Sequence, residues 1–431
     1  MTDISVAPAT EVGGEVRVGG DKSISHRAVI LGAMARGRSY VGNLSASADV
    51  AATMRCVEAC GGSVRPFGED GRVGLDGAGP GVSLHSPAAA LDCANSGTTM
   101  RLLAGVLAGH DVEATLDGDA SLRRRPMERI AGPLRAMGAE VATNSGGTAP
   151  MTVRGRRPLK AVDHRLEVAS AQVKSAILLA GLSAEGPTTV TEPVPTRDHT
   201  ERLLRLCGIE VTNDGSSIRM IPGALQPFGI TVPGDISSAT AFMVLAACRR
   251  GSSITLPSIG VNPGRTGVLD ILRAMGAEIG VDDEQPAGGV EPVATVTVTG
   301  GDMVATVIAG NAIPSCIDEL PLLALAATQA EGITEIRDAA ELRTKESDRI
   351  ARLLTGLRAL GAECEERPDG MVITGPSRLH GGRVDSHGDH RLAMTWAIAG
   401  CIASQPVTIV GADTVAVSYP RFFTDLASVV R

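Results

Sequence analysis

The chain has 431 residues, 43% of them hydrophobic and 2% aromatic. That profile excludes a disordered or fibrous protein and predicts a large aliphatic core divided between two or three domains. The formal net charge of −8 excludes a general nucleic-acid binder, which needs a basic face for counterion release and aromatic platforms for stacking, but it leaves room for a local basic cleft that attracts small anions.

The opening residues, MTDISVAPATEVGG, lack the basic and apolar regions of a targeting segment. The most apolar stretch, Leu392 to Ala403, is too short to cross a bilayer, so a cytoplasmic location is expected. Eight cysteines are scattered, mostly through apolar runs, and form neither a disulfide framework nor a four-ligand zinc set. They are expected to be small buried hydrophobes, with no metal bound.

In chain order, a strand from Glu15 (EVRVGG) comes first and has no helix before it. One signature then recurs six times: an apolar helix, a small break and a β-branched strand. It reads LGAMARGRSYVGNL from Leu31, LLAGVLAGHDVEATLDG from Leu102, ILLAGLSAEGPTTVTEP from Ile177, MVLAACRRGSSITLPSIG from Met243, LALAATQAEGITEIRDA from Leu323 and AIAGCIASQPVTIVGAD from Ala397. A second signature follows five of these, an amphipathic helix stopped by a small-residue turn and then a new strand. Its copies are CVEACGGSV from Cys56, LRAMGAEV from Leu134, LRLCGIEV from Leu206, LRAMGAEI from Leu272 and LRALGAEC from Leu357. The sixth repeat ends in YPRFFTDLASVVR, a helix with no strand after it, and the strand from Glu15 is expected to complete it.

Alternating strands and helices predict α/β layers, with three repeats in each of two domains. The expected boundaries are 21–234 for one domain and 1–20 plus 235–431 for the other, with a hinge near 20 and 234.

The first helix of each repeat starts with polar residues: GDKSISHR from Gly20, ANSGTTMR from Ala94, ASAQVKSA from Ala169, GDISSAT from Gly234, SCIDELP from Ser315 and HGDHRLAM from His387. Ser, Asn and Asp serve there as helix caps. Lys22, Arg27, Arg101, Lys174 and Arg391 do not, because the macrodipole disfavours cations at a helix start. An anion bound among them would offset that cost, since free N–H groups at helix starts hold phosphate and carboxylate oxygens. Two further stretches add charge: RRRPMER from Arg123 and ELRTKESDR from Glu341. In the second, the spacing predicts Lys345 and Arg349 on one helical face with Glu346 beside them. Asp21 separates Gly20 from Lys22, so no Walker loop is present, and no GxGxxG opens a helix; neither a nucleotide nor a dinucleotide cofactor is expected.

At these motifs the chain resembles the 5-enolpyruvylshikimate-3-phosphate (EPSP) synthase family. GDKSISHR, NSGTTMR, RRRPM, SAQVKSA, PTRDHTE, PGDISSA, IDELP, RTKESDR and GDHR stand in the family's order nearly from end to end. The resemblance implies a two-domain inverted α/β barrel of six βαβαββ repeats, three per domain, closing on substrates at the hinge. It implies transfer of an enolpyruvyl group from phosphoenolpyruvate to the 5-hydroxyl of shikimate 3-phosphate through a tetrahedral intermediate, with no cofactor, in a monomer that binds neither nucleic acid nor membrane.

Residue by residue, the resemblance implies that Lys22 bridges both substrates. Ser23, Arg27, Ser170, Ala171, Gln172 and Arg197 match positions around shikimate 3-phosphate, mainly in the N-terminal domain, with Asp318 and Lys345 reaching it as well. Arg125, Arg349 and Arg391 match the arginines that clamp phosphoenolpyruvate, with Asn95, Gly97, Gln172, Glu346 and His390 beside it. Asp318 matches the candidate base and Glu346 the candidate acid, with Lys22 and Lys345 as partners. His390 either assists phosphate departure or orients Arg391. The chain departs from the common pattern at Ala171 and Val417, where many members carry a serine and a lysine, and at His199, where some carry a tyrosine. Two other readings are an enolpyruvyl transferase acting on UDP-N-acetylglucosamine and a non-catalytic anion-binding relative.

Overall fold

The computed structural model of the chain describes residues 2–67, 72–77, 84–284 and 289–431. Repeat two shows the repeating unit complete. Strand Leu91–Asp92, helix Gly97–Ala108, strand Glu113–Asp117, helix Glu128–Ala136 and strands Glu140–Ala142 and Met151–Arg154 follow in turn. Their sheet is ordered first, second, fourth, third. The helical crossover makes the first pair parallel, the loop between the third and fourth strands makes that pair antiparallel, and the fourth strand also runs antiparallel to the second. Repeats three and five build the same sheet.

Repeats one, four and six each borrow a strand from elsewhere in the chain. Gly229–Thr231 pairs in parallel with Tyr40–Gly42 and supplies the first strand of repeat one. Gly13–Glu15 pairs in parallel with Ser253–Thr255 and does the same for repeat four. The strand from Glu15 was expected to complete the last repeat; instead Ile4–Val6 does so, antiparallel to Val407–Ile409. The segment Val16–Gly19 is not strand at all. Among the described residues the strands thus form five four-stranded sheets and one three-stranded sheet.

The leading helices are apolar on all sides and are therefore interior helices. Every residue of Ile236–Ala247 is buried, and so are all but one of Gly97–Ala108. The two leading helices of repeats two and three touch backbone to backbone: a Cβ on Gly105 would lie 2.2 Å from the carbonyl oxygen of Ala176. The following helices, such as His199–Leu206, bury only one face.

The chain divides into two compact lobes. The N-terminal lobe comprises Gly20–Val232 together with Pro286–Glu291, a short segment that the sequence pattern alone assigns to the other lobe. That segment is held by buried polar contacts: His199 Nδ1 lies 2.7 Å from Glu291 Oε1, and Arg202 Nη1 donates to the Val290 carbonyl at 3.0 Å. The C-terminal lobe comprises Met1–Gly19, Pro233–Gln285 and Pro292–Arg431. Each lobe has its own aliphatic core. No helix among the described residues is long and apolar enough to cross a membrane.

His26 sits inside the N-terminal lobe, fully buried, with Nδ1 2.6 Å from Thr53 Oγ1. Burial pushes its pKa well below the usual 6.5, Lys22 and Arg27 push it further, and Asp21 opposes them. The unfolded chain therefore takes up a proton that the folded chain refuses, so stability is full above about pH 6.5 and falls as the pH drops below it. Denaturation followed between about pH 7 and 5 is expected to carry a slope of up to about 1.4 kcal/mol per pH unit from this residue. His110, lowered mainly by burial, adds a share of its own. His26→Asn keeps a polar partner for Thr53 and should flatten the slope; an unchanged slope would contradict the assignment.

Candidate active site

In the N-terminal lobe, three leading helices begin with side-chain caps. Asp21 Oδ1 accepts from Ile24 N at 2.8 Å, Ser96 Oγ from Thr99 N at 3.1 Å and Ser170 Oγ from Val173 N at 3.4 Å. The caps satisfy only some of the free N–H groups of each first turn. Lys22 opens the first helix, and its Nζ lies 2.9 Å from Asp49 Oδ2. Arg27, one turn further on, is buried and spans three partners: Thr200 Oγ1 at 2.6 Å, Ser175 Oγ at 2.8 Å and the Ser23 carbonyl at 2.8 Å. Burial and the neighbouring charge of Arg197 lower its pKa to about 10, while Glu201, Asp21 and Glu291 work to raise it. Arg197 Nη1 donates to Ser23 Oγ at 3.3 Å, so Ser23, Arg27 and Arg197 form one group.

A second group gathers around Gly97. Arg125 Nη2 donates to Asn95 Oδ1 at 2.6 Å, and Asn95 Nδ2 donates to Asp119 Oδ2 at 2.6 Å. Arg101 Nη1 donates to Gln172 Oε1 at 2.5 Å, and Gln172 Nε2 to Thr98 Oγ1 at 2.9 Å. A Cβ on Gly97 would lie 2.8 Å from Arg101 Nη1 and 3.3 Å from Arg125 Nη1, so two guanidiniums converge on a helix start that only glycine leaves open. Arg101 belongs to this group as much as Arg125 does, and its place among the unexplained helix-start cations was the signal for it. Of the three arginines before Pro126 in RRRPMER, Arg123 turns away to Asp117 at 2.8 Å.

Lys174 departs from the expectation that helix-start cations await an anion. Its Nζ lies 2.8 Å from Glu192 Oε2 and 2.7 Å from Glu201 Oε1, all three side chains almost completely buried. His199 is engaged with Glu291. Ala171 is the first residue of its helix.

In the C-terminal lobe, Asp235 and Asp389 cap the leading helices of repeats four and six, accepting from Ser237 N at 2.8 Å and Arg391 N at 2.9 Å. The leading helix of repeat five is broken into Ile313–Cys316 and Leu320–Ala327. Asp318 and Glu319 occupy the break, and no side chain caps the second piece.

Arg349 is the hub of this lobe. It is 2% exposed. Its Nε donates to Asp389 Oδ2 at 2.8 Å, its Nη2 to Glu346 Oε2 at 2.6 Å, and its Nη1 lies 3.5 Å from Asp318 Oδ1. Burial works to lower the guanidinium pKa, but Asp389, then Glu346 and Asp318, raise it overall, so the side chain stays charged. Lys345 Nζ approaches Asp318 Oδ1 to 3.9 Å and donates to Glu341 Oε1 at 3.0 Å. The expectation of one helical face bearing Lys345 and Arg349 fails. Ala340–Thr344 is a 3₁₀ turn, Lys345 is extended, and the α-helix starts only at Arg349, capped by Asp348. The two cations meet at Asp318 through this bend rather than through helical spacing.

Arg391 Nη1 lies 3.7 Å from Glu319 Oε1. His390, the first residue of its helix, is buried beside it. Val417 ends a 3₁₀ turn, Ala412–Val417, and is half-buried. Among the described residues no three His, Cys, Asp or Glu side chains are gathered as a metal site.

Lobes of three α/β repeats, with cations and carboxylates at their helix starts, define the enolpyruvyl transferase class. The enolpyruvyl transferase NikO of Streptomyces tendae shares this fold, with a TM-score of 0.76 at 18% identity over 99% of this chain and 96% of that one. A sequence model of EPSP synthase (3-phosphoshikimate 1-carboxyvinyltransferase) matches residues 6–426, and the chain belongs to that family. It is 49% identical to the 3-phosphoshikimate 1-carboxyvinyltransferase of Alkalilimnicola ehrlichii over 97% of this chain and 94% of the relative. It is 50% identical to that of Gloeobacter violaceus over 99% and 98%. A solved EPSP synthase from Acinetobacter baumannii superimposes with a TM-score of 0.87 at 44% identity, covering 100% of this chain and 98% of that one.

The pairing of Lys174 carries a stability prediction. Lys174→Met leaves Glu192 and Glu201 buried without their cation and is expected to cost about 3–5 kcal/mol in urea denaturation at neutral pH. A loss within experimental error would show that the three charges do not stabilise the lobe.

Proposed function

We propose that this chain transfers the enolpyruvyl group of phosphoenolpyruvate to the 5-hydroxyl of shikimate 3-phosphate, releasing phosphate. In the first step the hydroxyl oxygen bonds to C2 of phosphoenolpyruvate, a base takes the hydroxyl proton, and an acid protonates C3. In the second, the bond from C2 to the phosphate oxygen breaks, C3 returns a proton, and the double bond re-forms. Neither metal nor organic cofactor enters either step.

The observation that carries this reading is the Arg349 hub, where one buried guanidinium touches two carboxylates suited to proton transfer, in a chain that carries the family's motifs in order with departures at Ala171, His199 and Val417. Asp318 is the base, poised beside Lys345 and Arg349. Glu346 is the acid, with Oε2 held by Arg349 Nη2 at 2.6 Å. Arg349 and Arg391 bind phosphoenolpyruvate together with Arg125, Asn95, Gly97 and Gln172. Arg101 joins them, being aimed at the same glycine. His390 orients Arg391. Lys22, Ser23, Arg27, Ser170, Ala171, Gln172 and Arg197 hold shikimate 3-phosphate, with Lys22 and Lys345 balancing the charge that develops on the intermediate. The first lobe serves the acceptor and shares the donor, and the second adds Arg349 and Arg391 and carries the chemistry. On this reading the protein acts as a monomer in the cytoplasm, in line with the family resemblance of the sequence.

Phosphate release with both substrates, with each omitted, and with UDP-N-acetylglucosamine as acceptor tests the reaction. Release is expected only with shikimate 3-phosphate and phosphoenolpyruvate together, and turnover confined to the sugar nucleotide would overturn the proposal. Glu346→Gln should lower kcat by about 10²–10⁴-fold, the range for a lost acid or base, while calorimetry still shows shikimate 3-phosphate binding. Undiminished turnover would refute the acid role.

A further inference from the structure

The break in the leading helix of repeat five sets a second carboxylate directly after Asp318. Glu319 is 1% exposed, and its side chain caps no helix. Its Oε1 accepts from Ser237 Oγ, and that hydroxyl accepts in turn from Arg265 Nη2. Two guanidinium nitrogens flank the same carboxylate oxygen, Arg265 Nη2 at 3.7 Å and Arg391 Nη1 at 3.7 Å. Asp235 Oδ1 stands 3.7 Å from Arg265 Nη2. Asp235, Arg265, Glu319 and Arg391 are therefore a chain of buried charges alternating in sign, an arrangement that burial tolerates because each ion has an opposite neighbour.

The distances along this chain are unequal in a useful way. Glu319 makes its hydrogen bond to Ser237, not to Arg391. At 3.7 Å Arg391 feels the carboxylate's field, yet its Nη1 is buried with no hydrogen-bond partner among the described residues. A guanidinium held by charge but with donors unspent is what an incoming anion requires.

We propose that Glu319 is a positioning residue for Arg391, and that Ser237 and Arg265 occupy its carboxylate so that it aims Arg391 without consuming the donors that bind phosphoenolpyruvate. This rests on the reading of Arg391 as a phosphoenolpyruvate ligand. It also gives repeat four a role: its helix start, whose Asp235, Ser237 and Ser238 look like mere capping residues, supplies Ser237 to the chain.

Steady-state kinetics of Glu319→Gln, Glu319→Asp, Arg265→Met and the Arg265→Met/Glu319→Gln double variant test this, with Arg391→Lys as a control. Glu319→Gln removes the aiming charge and should raise KM for phosphoenolpyruvate about tenfold, the equivalent of one lost charged contact. KM for shikimate 3-phosphate should stay within about twofold, and Glu319→Asp should restore part of the loss. Arg265→Met frees Glu319 to close on Arg391 and should also raise KM for phosphoenolpyruvate. The double variant should be milder than Arg265→Met alone, because a neutral Gln cannot capture Arg391. A merely structural role predicts instead that both KM values or the melting temperature suffer alike and that the two substitutions add, and that result overturns the proposal. If Arg265→Met does not fold, the contrast between Glu319→Gln and Glu319→Asp decides on its own. If Arg391→Lys leaves KM for phosphoenolpyruvate unchanged, the parent reading of Arg391 fails. If Arg391→Lys raises it and Glu319→Gln does not, only the positioning role of Glu319 fails.

Discussion

Arg349 and Asp389 meet at 2.8 Å with side chains 2% and 0% exposed. Burying such a pair is costly, and removing either partner strands the other without compensation, at about 3–5 kcal/mol. Asp389 does two jobs with one carboxylate. It caps the helix His390–Ile402 through Arg391 N, and it fixes Arg349, with Ser347 Oγ donating to it at 3.1 Å. The remaining arms of Arg349 then determine where Glu346 and Asp318 stand. The two carboxylates assigned to proton transfer are thus arranged by one guanidinium, which a single helix cap holds in place.

The six leading helices start from one pattern and are used unequally. Those of repeats one, two, three, four and six carry a side-chain cap from Asp21, Ser96, Ser170, Asp235 and Asp389. Repeat five has none, because its helix breaks at Asp318 and Glu319. A break in an otherwise regular element is a local weakness, and here it brings one carboxylate to Arg349 and the next to Arg391. In the N-terminal lobe the starts remain regular, and their polar groups are mostly serines, an asparagine, a glutamine and arginines, suited to holding an anion without reacting with it. Symmetry of sequence produced the scaffold, and its local failure in one copy sets out Asp318, the proposed base, beside Glu319.

Much of this was legible from the residues. Apolar helices followed by β-branched strands, stopped by glycine at regular places, identified the repeats, because helix and strand periodicity are local properties. The borrowed strands were not legible: Gly13–Glu15 and Ile4–Val6 are three residues each, and their partners lie hundreds of positions away, where no local pattern names them. The bend at Lys345 was missed for a related reason, since a 3₁₀ turn followed by an extended residue carries the same charge spacing as a helix. Lys174 and Arg27 drew attention as cations at helix starts, and three-dimensional packing gave Lys174 two carboxylates that the sequence separates from it. Arg265 lies in none of the motifs and Glu319 inside the helix start SCIDELP, and only burial reveals that both charges lie inside the lobe.

The dependence of the site on Arg349 and Asp389 is tested most directly by Asp389→Asn. Asparagine caps a helix about as well as aspartate, so the substitution keeps the helix start and removes only the charge that fixes Arg349. Turnover measured with saturating substrates, at a temperature where the variant is still folded, is expected to fall by about 10²-fold, on the order of the loss when preorganised electrostatics are removed, and the melting temperature is expected to fall as well because Arg349 loses its buried counter-charge. Turnover within about twofold of the unaltered protein, a difference too small for a lost ion pair, would show that the two carboxylates keep their places without this pair and would contradict the account.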